Sequence, residues 1–235
     1  MPQWWADEFA RIARRLTTQK SLNDTLQAVV DTALSTVDGA QYAAITTRRG
    51  AEKYVTVAAT DVLPRQVDEV QYAVNEGPCL TALDEDSVCE SVDISSDDRW
   101  PRFGPTAYAR TGIVSMLSHP LYLEEGDTIG ALNLYSTQRA AFDENSRNVM
   151  VTLATHAAIA MTSAAHRETN DQLRRAIESN RIIGMAMGIL MQTHKITAEQ
   201  SFDALRIASQ HAHRKLVEVA GEVVETGQLV LPPHH

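Results

Sequence analysis

The spacing of apolar residues near the start of the chain predicts two amphipathic helices between Trp4 and Leu34. Apolar side chains recur there at intervals of three and four residues, and Ser21 and Asp24 are suitable caps between the two segments. The apolar positions are Trp5, Phe9, Ile12, Leu16, Leu22, Leu26, Val29, Val30 and Ala33. Each helix therefore presents one apolar face to a core.

From Tyr42 onwards the pattern changes to short runs rich in β-branched and apolar residues. Each run is bounded by Gly, Pro, Asp or a group of charged residues, as strands commonly are. The runs cover 42–47, 54–59, 88–92, 114–120 and 128–135. They predict an antiparallel sheet.

A long helical segment follows the predicted strands, from about 144 to 191. No Pro or Gly interrupts residues 166–174, so the first helical pattern continues into the next one. Its first part carries an apolar stripe of Val149, Leu153, Ala157, Ala160 and Ala164. We expect this stripe to be free once the sheet is covered, and to pair with a second copy of the chain.

The last quarter of the chain has the pattern of three helices, ending near Gly227. Thr197 and Gln200 have the spacing of a capping box at the start of the second helix. Phe202, Leu205 and Ala208 are expected on the buried face of that helix.

Gly184 and Gly188 lie in the first of these helices, where each costs about 1 kcal/mol of helix propensity relative to Ala. A helix crossing or the approach of a ligand backbone could explain such residues. We favour close helix packing for Gly188, with the approach of a ligand backbone as the alternative.

Length and composition indicate a soluble protein of two domains. The chain has 235 residues, with 44% hydrophobic and 22% charged side chains. No apolar run approaches the roughly 18 residues of a membrane span, and the N-terminus lacks the features of a secretory signal. Two cysteines, Cys79 and Cys89, are too few for a disulfide framework. We therefore expect a cytoplasmic location.

The negative charge is confined to the first part of the chain. The net charge is −9, with 14 basic and 23 acidic side chains in 1–169 and seven of each in 170–235. Phosphate binding needs local cations. Since residues 170–235 have no net charge, they can supply cations only where basic side chains cluster. The densest cluster of basic side chains and histidines is His211, His213, Arg214 and Lys215.

Residues with catalytic potential do not form a recognisable constellation. Cys79 follows Gly-Pro and could be paired with His119 as a nucleophile, but neither has a catalytic neighbourhood, and a small buried cysteine is the commoner outcome. The acidic groups 84–86 and 97–98 lack the ligand spacing of a calcium loop. We expect no enzymatic activity and no metal site.

The order of residues in the last quarter resembles the ANTAR domain, an RNA-binding module of bacterial transcription antiterminators. The matching residues are Ala176-Ile177, Arg181, Ala186-Met187-Gly188, Leu190-Met191, Ser201-Phe202, Leu205-Arg206, Ser209, Arg214-Lys215-Leu216 and Val219-Ala220. The match spans the whole module. One departure is Met187, where the family prefers Lys, and it removes a cation from an expected RNA-facing turn.

The preceding part resembles a GAF domain of the actinobacterial type, over roughly 18–165. The resemblance rests on Glu76-Gly77-Pro78-Cys79-Leu80, Asp93-Ile94, Arg99-Trp100-Pro101, Ser115-Met116-Leu117-Ser118, Pro120-Leu121, the run 129–136 and Ala141-Phe142. It implies an antiparallel sheet with helices on one side and a pocket on the other, serving as a sensor or a dimerisation unit. The ligand that such a pocket takes remains unknown.

Together the resemblances imply an α+β protein. A GAF-like domain over 1–166 would be joined by the long helix to an ANTAR-like three-helix domain over 167–235. The implied function is cytosolic regulation by binding structured leader RNA with paired stem-loops, as a homodimer under control of the sensor domain. The alternative is a ligand-sensing dimer whose helical tail binds protein partners, which Met187 and the net charge of −9 favour.

The RNA-binding residues follow from the ANTAR resemblance and from the cationic group at the last helix junction. They are Arg181, Ala186, Gly188, Arg206, Gln210, His213, Arg214 and Lys215. Arginine and lysine neutralise phosphates, and planar groups stack on splayed loop bases.

Overall fold

The computed structural model describes residues 10–16, 18–49, 53–122 and 128–229. Trp5 and Phe9, which were expected in the first helix, lie outside these residues. The chain divides into two compact units, Met1–Arg167 and Glu168–His235. We call them the sensor unit and the helical module.

The sensor unit is built on five strands with helices before, between and after them. Residues 10–16 are helical (α1), followed by α2 (Leu22–Thr36), α3 (Val62–Val74), α4 (Pro78–Asp84) and α5 (Phe103–Thr111). The strands are β1 (Tyr42–Arg49), β2 (Lys53–Ala59), β3 (Cys89–Ser91), β4 (Ser115–Tyr122) and β5 (Thr128–Ser136).

The five strands form one antiparallel sheet in the order β2-β1-β5-β4-β3. Register is set across the centre by pairs such as Ala43 with Leu134 and Leu117 with Leu134. Alternate residues point to opposite faces of a strand, so each face presents its own set of side chains. The predicted antiparallel sheet is confirmed.

One face of the sheet packs against α1, α2 and the first part of α6 (Glu144–His194). Ile45, Leu132 and Leu134 meet Val29 and Val30 of α2 in a single apolar core. The start of α2 is fixed by Ser21, whose hydroxyl accepts a hydrogen bond from the Asp24 backbone N–H at 3.1 Å. This is the expected N-cap at Ser21.

The apolar stripe of α6 lies in this core and is not free. Val149, Leu153, Ala157 and Ala160 are at most 3% exposed and belong to the same cluster as α2 and the sheet. Ala164 is equally buried. The expectation that this stripe pairs two copies is therefore wrong, because the small side chains let α6 approach its own sensor unit.

Three helices, α3, α4 and α5, cover the opposite face of the sheet. The sequence pattern did not predict them. Their apolar residues, including Val67, Val70, Phe103 and Ala107, pack on Met116 and Tyr135. Helices thus cover both faces, where the resemblance implied one.

Glu76 links α3 to α5. It accepts hydrogen bonds from the backbone N–H groups of Arg102 and Phe103 at 2.9 and 3.2 Å, and pairs with the Arg102 guanidinium. A carboxylate at a helix N-terminus is favourable because it complements the helix dipole.

The helical module consists of the end of α6, α7 (Ala198–Ala212) and α8 (Leu216–Thr226). Its core joins Ala186 and Leu190 of α6 to Leu205 and Ala208 of α7, with Val219, Ala220 and Val223 of α8. Thr197 and Gln200 form the expected capping box at the start of α7. Gly227 ends α8 with a φ of 75°, a conformation that favours glycine.

In the part of the chain that is described, α6 is the one helix long and apolar enough to cross a membrane. Half of the apolar window, 50%, is buried inside the protein, as in the core helix of a globular domain.

Ala157→Glu will destabilise the sensor unit by about 3–5 kcal/mol, because it buries a carboxylate without a partner in the α6 core. Chemical denaturation followed by circular dichroism measures this change. Val151→Glu, at a position of α6 that is 44% exposed, is the control and should leave stability nearly unchanged. A stable Ala157→Glu protein that only loses self-association would restore the stripe as an intermolecular interface.

Candidate ligand interior and nucleic-acid interface

Asp68 of α3 is the centre of a polar network buried against the sheet. Its Oδ1 accepts hydrogen bonds from the Tyr135 hydroxyl at 2.6 Å and from Gln71 Nε2 at 3.0 Å. Its Oδ2 accepts one from the Thr56 hydroxyl at 2.7 Å. No basic side chain of the described ranges forms an ion pair with Asp68. Hydrogen bonds alone therefore compensate a fully buried carboxyl group.

Burial raises the pKa of Asp68 from 3.8 to about 6, although the hydrogen bonds from Tyr135, Thr56 and Gln71 act in the other direction. Desolvation disfavours the charged form of an acid. The same burial, together with the charge of Asp68, raises the pKa of Tyr135 well above its ordinary value. Sequence patterns gave no sign of this network, since its members come from α3 and three strands.

Gln71 extends the network to the start of α4. Its Oε1 accepts a hydrogen bond from the Cys79 backbone N–H at 3.0 Å. Gly77 precedes Cys79 with a φ of 136°, and a Cβ there would lie 2.3 Å from Gln71 Oε1. A glycine is thus required for α3 and α4 to meet at this point.

Two buried side-chain oxygens beside the network have no hydrogen-bond partner among the residues that the structure describes. Ser118 and Asn133 are opposite each other on β4 and β5, and both are fully buried. Asn133 Nδ2 donates to Thr46 Oγ1 and contacts Cys79 Sγ, each at 3.2 Å. Ser118 Oγ and Asn133 Oδ1 make no hydrogen bond within the described chain. Such atoms are usually satisfied by a bound molecule or by water.

The structure does not bring Cys79 and His119 together. Cys79 contacts Asn133, whereas His119 is the neighbour of Ser118 on β4 and points to the opposite face of the sheet. Burial raises the pKa of the Cys79 thiol to about 12. The His119 ring is held by Pro120 O at 2.6 Å. A thiol in this state is a poor nucleophile.

Arg181 lies on the exposed surface of α6 in the helical module. Its Nε and Nη2 donate to the two carboxylate oxygens of Glu178 at 3.0 and 2.6 Å. Gly188 is seven residues further on and also exposed, so both residues share one side of the helix.

Gly184 and Gly188 are on open surface. A Cβ built on either would meet no atom within 4 Å. The preference for close helix packing at Gly188 is therefore wrong within this chain. The two glycines instead leave the backbone of α6 accessible along one turn of helix.

Ala186 and Met187 face inwards to different degrees. Ala186 is fully buried in the core of the module, so its side chain is not on the surface as its assignment to RNA binding required. The reason is its position between Ile182 and Leu190 on the apolar stripe. Met187 is half-buried and packs against the same core. A Lys at Met187 could keep its stem on that core and extend its ammonium group to solvent.

Arg206 and Gln210 share the exposed side of α7, as their spacing of four predicted. Phe202 lies one turn before Arg206 and is 40% exposed. Its expected place on the buried face is wrong, because Leu205 and Ala208 fill that face with Ser201. Sequence spacing alone could not distinguish the edge of the apolar stripe from its centre.

His213, Arg214 and Lys215 form the exposed junction between α7 and α8. His213 ends α7 in the left-handed conformation, with a φ of 51°, and Lys215 is the N-cap position of α8. The Ser209 hydroxyl donates to the Arg214 carbonyl at 2.6 Å and fixes the turn. The three side chains are adjacent on the surface, whereas Arg181 and Gly188 form a separate group on α6.

Family comparisons match two domains. A model of the GAF domain matches residues 19–162, more than half of the chain, and a model of the ANTAR domain matches residues 171–224. A search of the curated proteins gives no match.

Solved structures share the fold of the sensor unit at low identity. The GAF domain from an Acinetobacter phosphoenolpyruvate-protein phosphotransferase is 19% identical, with a TM-score of 0.54, over 71% of this chain and 97% of that one. The corresponding domain from Coxiella burnetii is 18% identical, with a TM-score of 0.55, over 70% and 96%. A domain of a putative two-component sensor histidine kinase protein from Sinorhizobium meliloti is 16% identical, with a TM-score of 0.52, over 66% and 99%.

Asp68 makes stability depend on pH in a direction opposite to that of most carboxylates. Its folded pKa lies above the unfolded value, so the folded state binds more protons between about pH 4 and 6. The stabilisation that Asp68 contributes should fall as the pH rises through this window, by about 1.4 kcal/mol for each unit of pKa difference.

In Asp68→Asn this fall should disappear, which urea denaturation at several pH values will show. Asp84→Asn removes an exposed carboxylate of the same unit and is the control. An unchanged pH dependence in Asp68→Asn would show that Asp68 is not the group responsible.

Proposed function

The chain belongs to the GAF domain family and carries an ANTAR domain after it, and we propose that it is a transcription antiterminator acting on leader RNA. In this proposal the helical module binds paired stem-loops of the leader, and the sensor unit controls that binding. The match of 171–224 to the RNA-binding ANTAR domain carries the proposal. Surface features of the module support it.

The exposed side of α6 is suited to an RNA backbone. Arg181 offers a guanidinium, and Gly184 and Gly188 remove the side chains that would keep a phosphate chain at a distance. Close approach of a nucleic acid to a helix backbone requires such small residues. We therefore keep Arg181 and Gly188 in the interface and drop Ala186, which is buried.

The α7–α8 junction supplies the second part of the interface. Arg206, Gln210, His213, Arg214 and Lys215 are all exposed there. Basic side chains position a phosphate backbone, and amide or imidazole groups can read base edges in a loop.

Phe202 adds an aromatic surface next to Arg206. It is the sole Phe, Trp or Tyr in 168–235, and it lies outside the core that the aliphatic residues form. Unpaired bases of RNA loops commonly stack on exposed aromatic rings. Phe202 is therefore a candidate platform for a loop base.

The sensor unit is proposed to hold a small molecule on the face of the sheet under α3 and α4. Asn133 Oδ1 would accept a hydrogen bond from it, and the Ser118 hydroxyl could accept or donate one, next to the Asp68 network. A small ligand that carries at least one N–H or O–H donor fits these two groups.

A homodimer is proposed through the exposed side of α6, in place of the buried stripe. Leu173 and Ile177 of the helical module are 57% and 60% exposed, and they are four residues apart. This interval is one of those that separate the apolar positions of a coiled-coil seam. Two copies would present two modules to two stem-loops. We also propose that the protein is cytoplasmic. The boundary between its two domains is proposed to lie near residue 166.

RNA binding should be moderate and sensitive to salt. The intact protein should bind a two-hairpin leader RNA as two copies and more tightly than one hairpin, because the second contact is intramolecular. The slope of log K against log salt should be on the order of −2 to −3 per module. Arg214→Ala should weaken binding and reduce the slope by about 1 without unfolding the module. Fluorescence anisotropy titrations at several salt concentrations measure both quantities.

Arg110→Ala, in α5 of the sensor unit, is the matched control and should bind as the unmodified protein does. Binding that is absent, or that does not depend on salt, would reject the RNA proposal. It would favour a module that contacts protein partners.

A further inference from the structure

Each arginine of the proposed RNA surface already holds a carboxylate of its own module. Arg181 binds both oxygens of Glu178, at 3.0 and 2.6 Å. Arg206 binds Asp203 Oδ1 through two nitrogens, at 3.2 and 2.9 Å. Arg214 donates to Glu222 at 2.6 Å, with Glu218 at 3.7 Å. The guanidinium donors that would contact phosphate are thus engaged.

These pairs lie where RNA would approach. The paired side chains keep between 41% and 58% of their surface exposed. A carboxylate and a phosphate present similar oxygen pairs to a guanidinium, so both compete for the same donors. Hydrogen bonds from Arg181 lower the pKa of Glu178, as expected for a carboxylate that is bound in its charged form.

The module has no excess of basic side chains that would offset these acids. Residues 170–235 hold seven basic and seven acidic side chains. Within the described part of that segment, Arg174, Arg175, Lys195 and Lys215 have no ion pair, whereas Arg181, Arg206 and Arg214 have one or more. The arginines nearest to the proposed contacts are therefore the neutralised ones.

We propose that Glu178, Asp203 and Glu222 limit the affinity of the module for RNA, as internal counter-ions that phosphates must displace. The inference rests on the proposed RNA-binding function. It explains why one module would bind one stem-loop weakly, so that stable binding depends on two modules and two loops.

Displacement is feasible because exposed ion pairs are weak. From the usual strength of such pairs, each carboxylate should lower affinity by a factor of roughly 1.5 to 5. The three pairs are on different helix segments, so their effects should multiply if the sites are independent.

The test compares Glu178→Gln, Asp203→Asn, Glu222→Gln and the triple variant with the unmodified full chain. Each single variant should bind the two-hairpin RNA about 1.5 to 5 times more tightly, and the triple variant roughly 3 to 125 times more tightly if the three effects multiply. Glu225→Gln is the matched control, because Glu225 is an exposed acid of α8 and forms no ion pair in the described residues. Glu225→Gln removes one negative charge, as each of the other single variants does, and it should change RNA affinity least. Circular dichroism melting verifies that each variant is folded.

The outcomes separate the two proposals. If Arg214→Ala weakens binding but the three acid variants do not strengthen it, the counter-ion inference is overturned and RNA binding stands. An equal gain in Glu225→Gln also overturns it, since overall charge would then be the cause. If the unmodified chain does not bind the RNA, the RNA proposal fails, and the inference that rests on it fails as well, whether or not the triple variant binds.

Discussion

The structure depends on one continuous helix, α6, that contributes to two separate cores. Its first part places Val149, Leu153 and Ala157 against α2 and the sheet, and its last part places Ala186 and Leu190 in the helical module. Each of these two cores would lose part of its apolar contacts without this helix. A change of sequence in α6 therefore affects the sensor unit or the module according to which stripe it interrupts.

The interior of the sensor unit is tightly packed, but some of its buried polar atoms have no hydrogen-bond partner among the described residues. Within the described ranges, Asp68 is stabilised by neutral hydrogen-bond donors and not by a cation, and two buried oxygens next to it have no hydrogen-bond partner. Buried polar groups of this kind lower stability unless a bound molecule satisfies them. A ligand that supplies donors would bind the folded state alone and stabilise it. The same groups could therefore hold the signal that the GAF domain detects.

Periodicity predicted the elements in which apolar residues recur at regular intervals. All five strands, the cap at Ser21 and the capping box at Thr197 are where the sequence placed them. Periodicity missed α4 and α5 because helices of seven and nine residues carry few periodic positions. It missed α3 because the polar residues Asp68 and Gln71 interrupt the apolar pattern of its buried face. Periodicity also does not identify the surface that covers an apolar stripe. The sequence therefore predicts that the stripe of α6 pairs with a second copy, whereas the structure buries it in the sensor unit. The burial of Ala186, the exposure of Phe202 and the open glycines depend on the angle of each residue around its helix.

In the proposed complex, RNA binds the module on α6 and at the α7–α8 junction. Amide hydrogen exchange of the intact protein, measured with and without a two-hairpin leader RNA, shows which segments the RNA protects. Exchange in 181–188 and 206–216 should be slower when RNA is bound, because contacts there suppress local opening. Unchanged exchange in both segments at saturating RNA, or protection confined to the sensor unit, would rule out this interface.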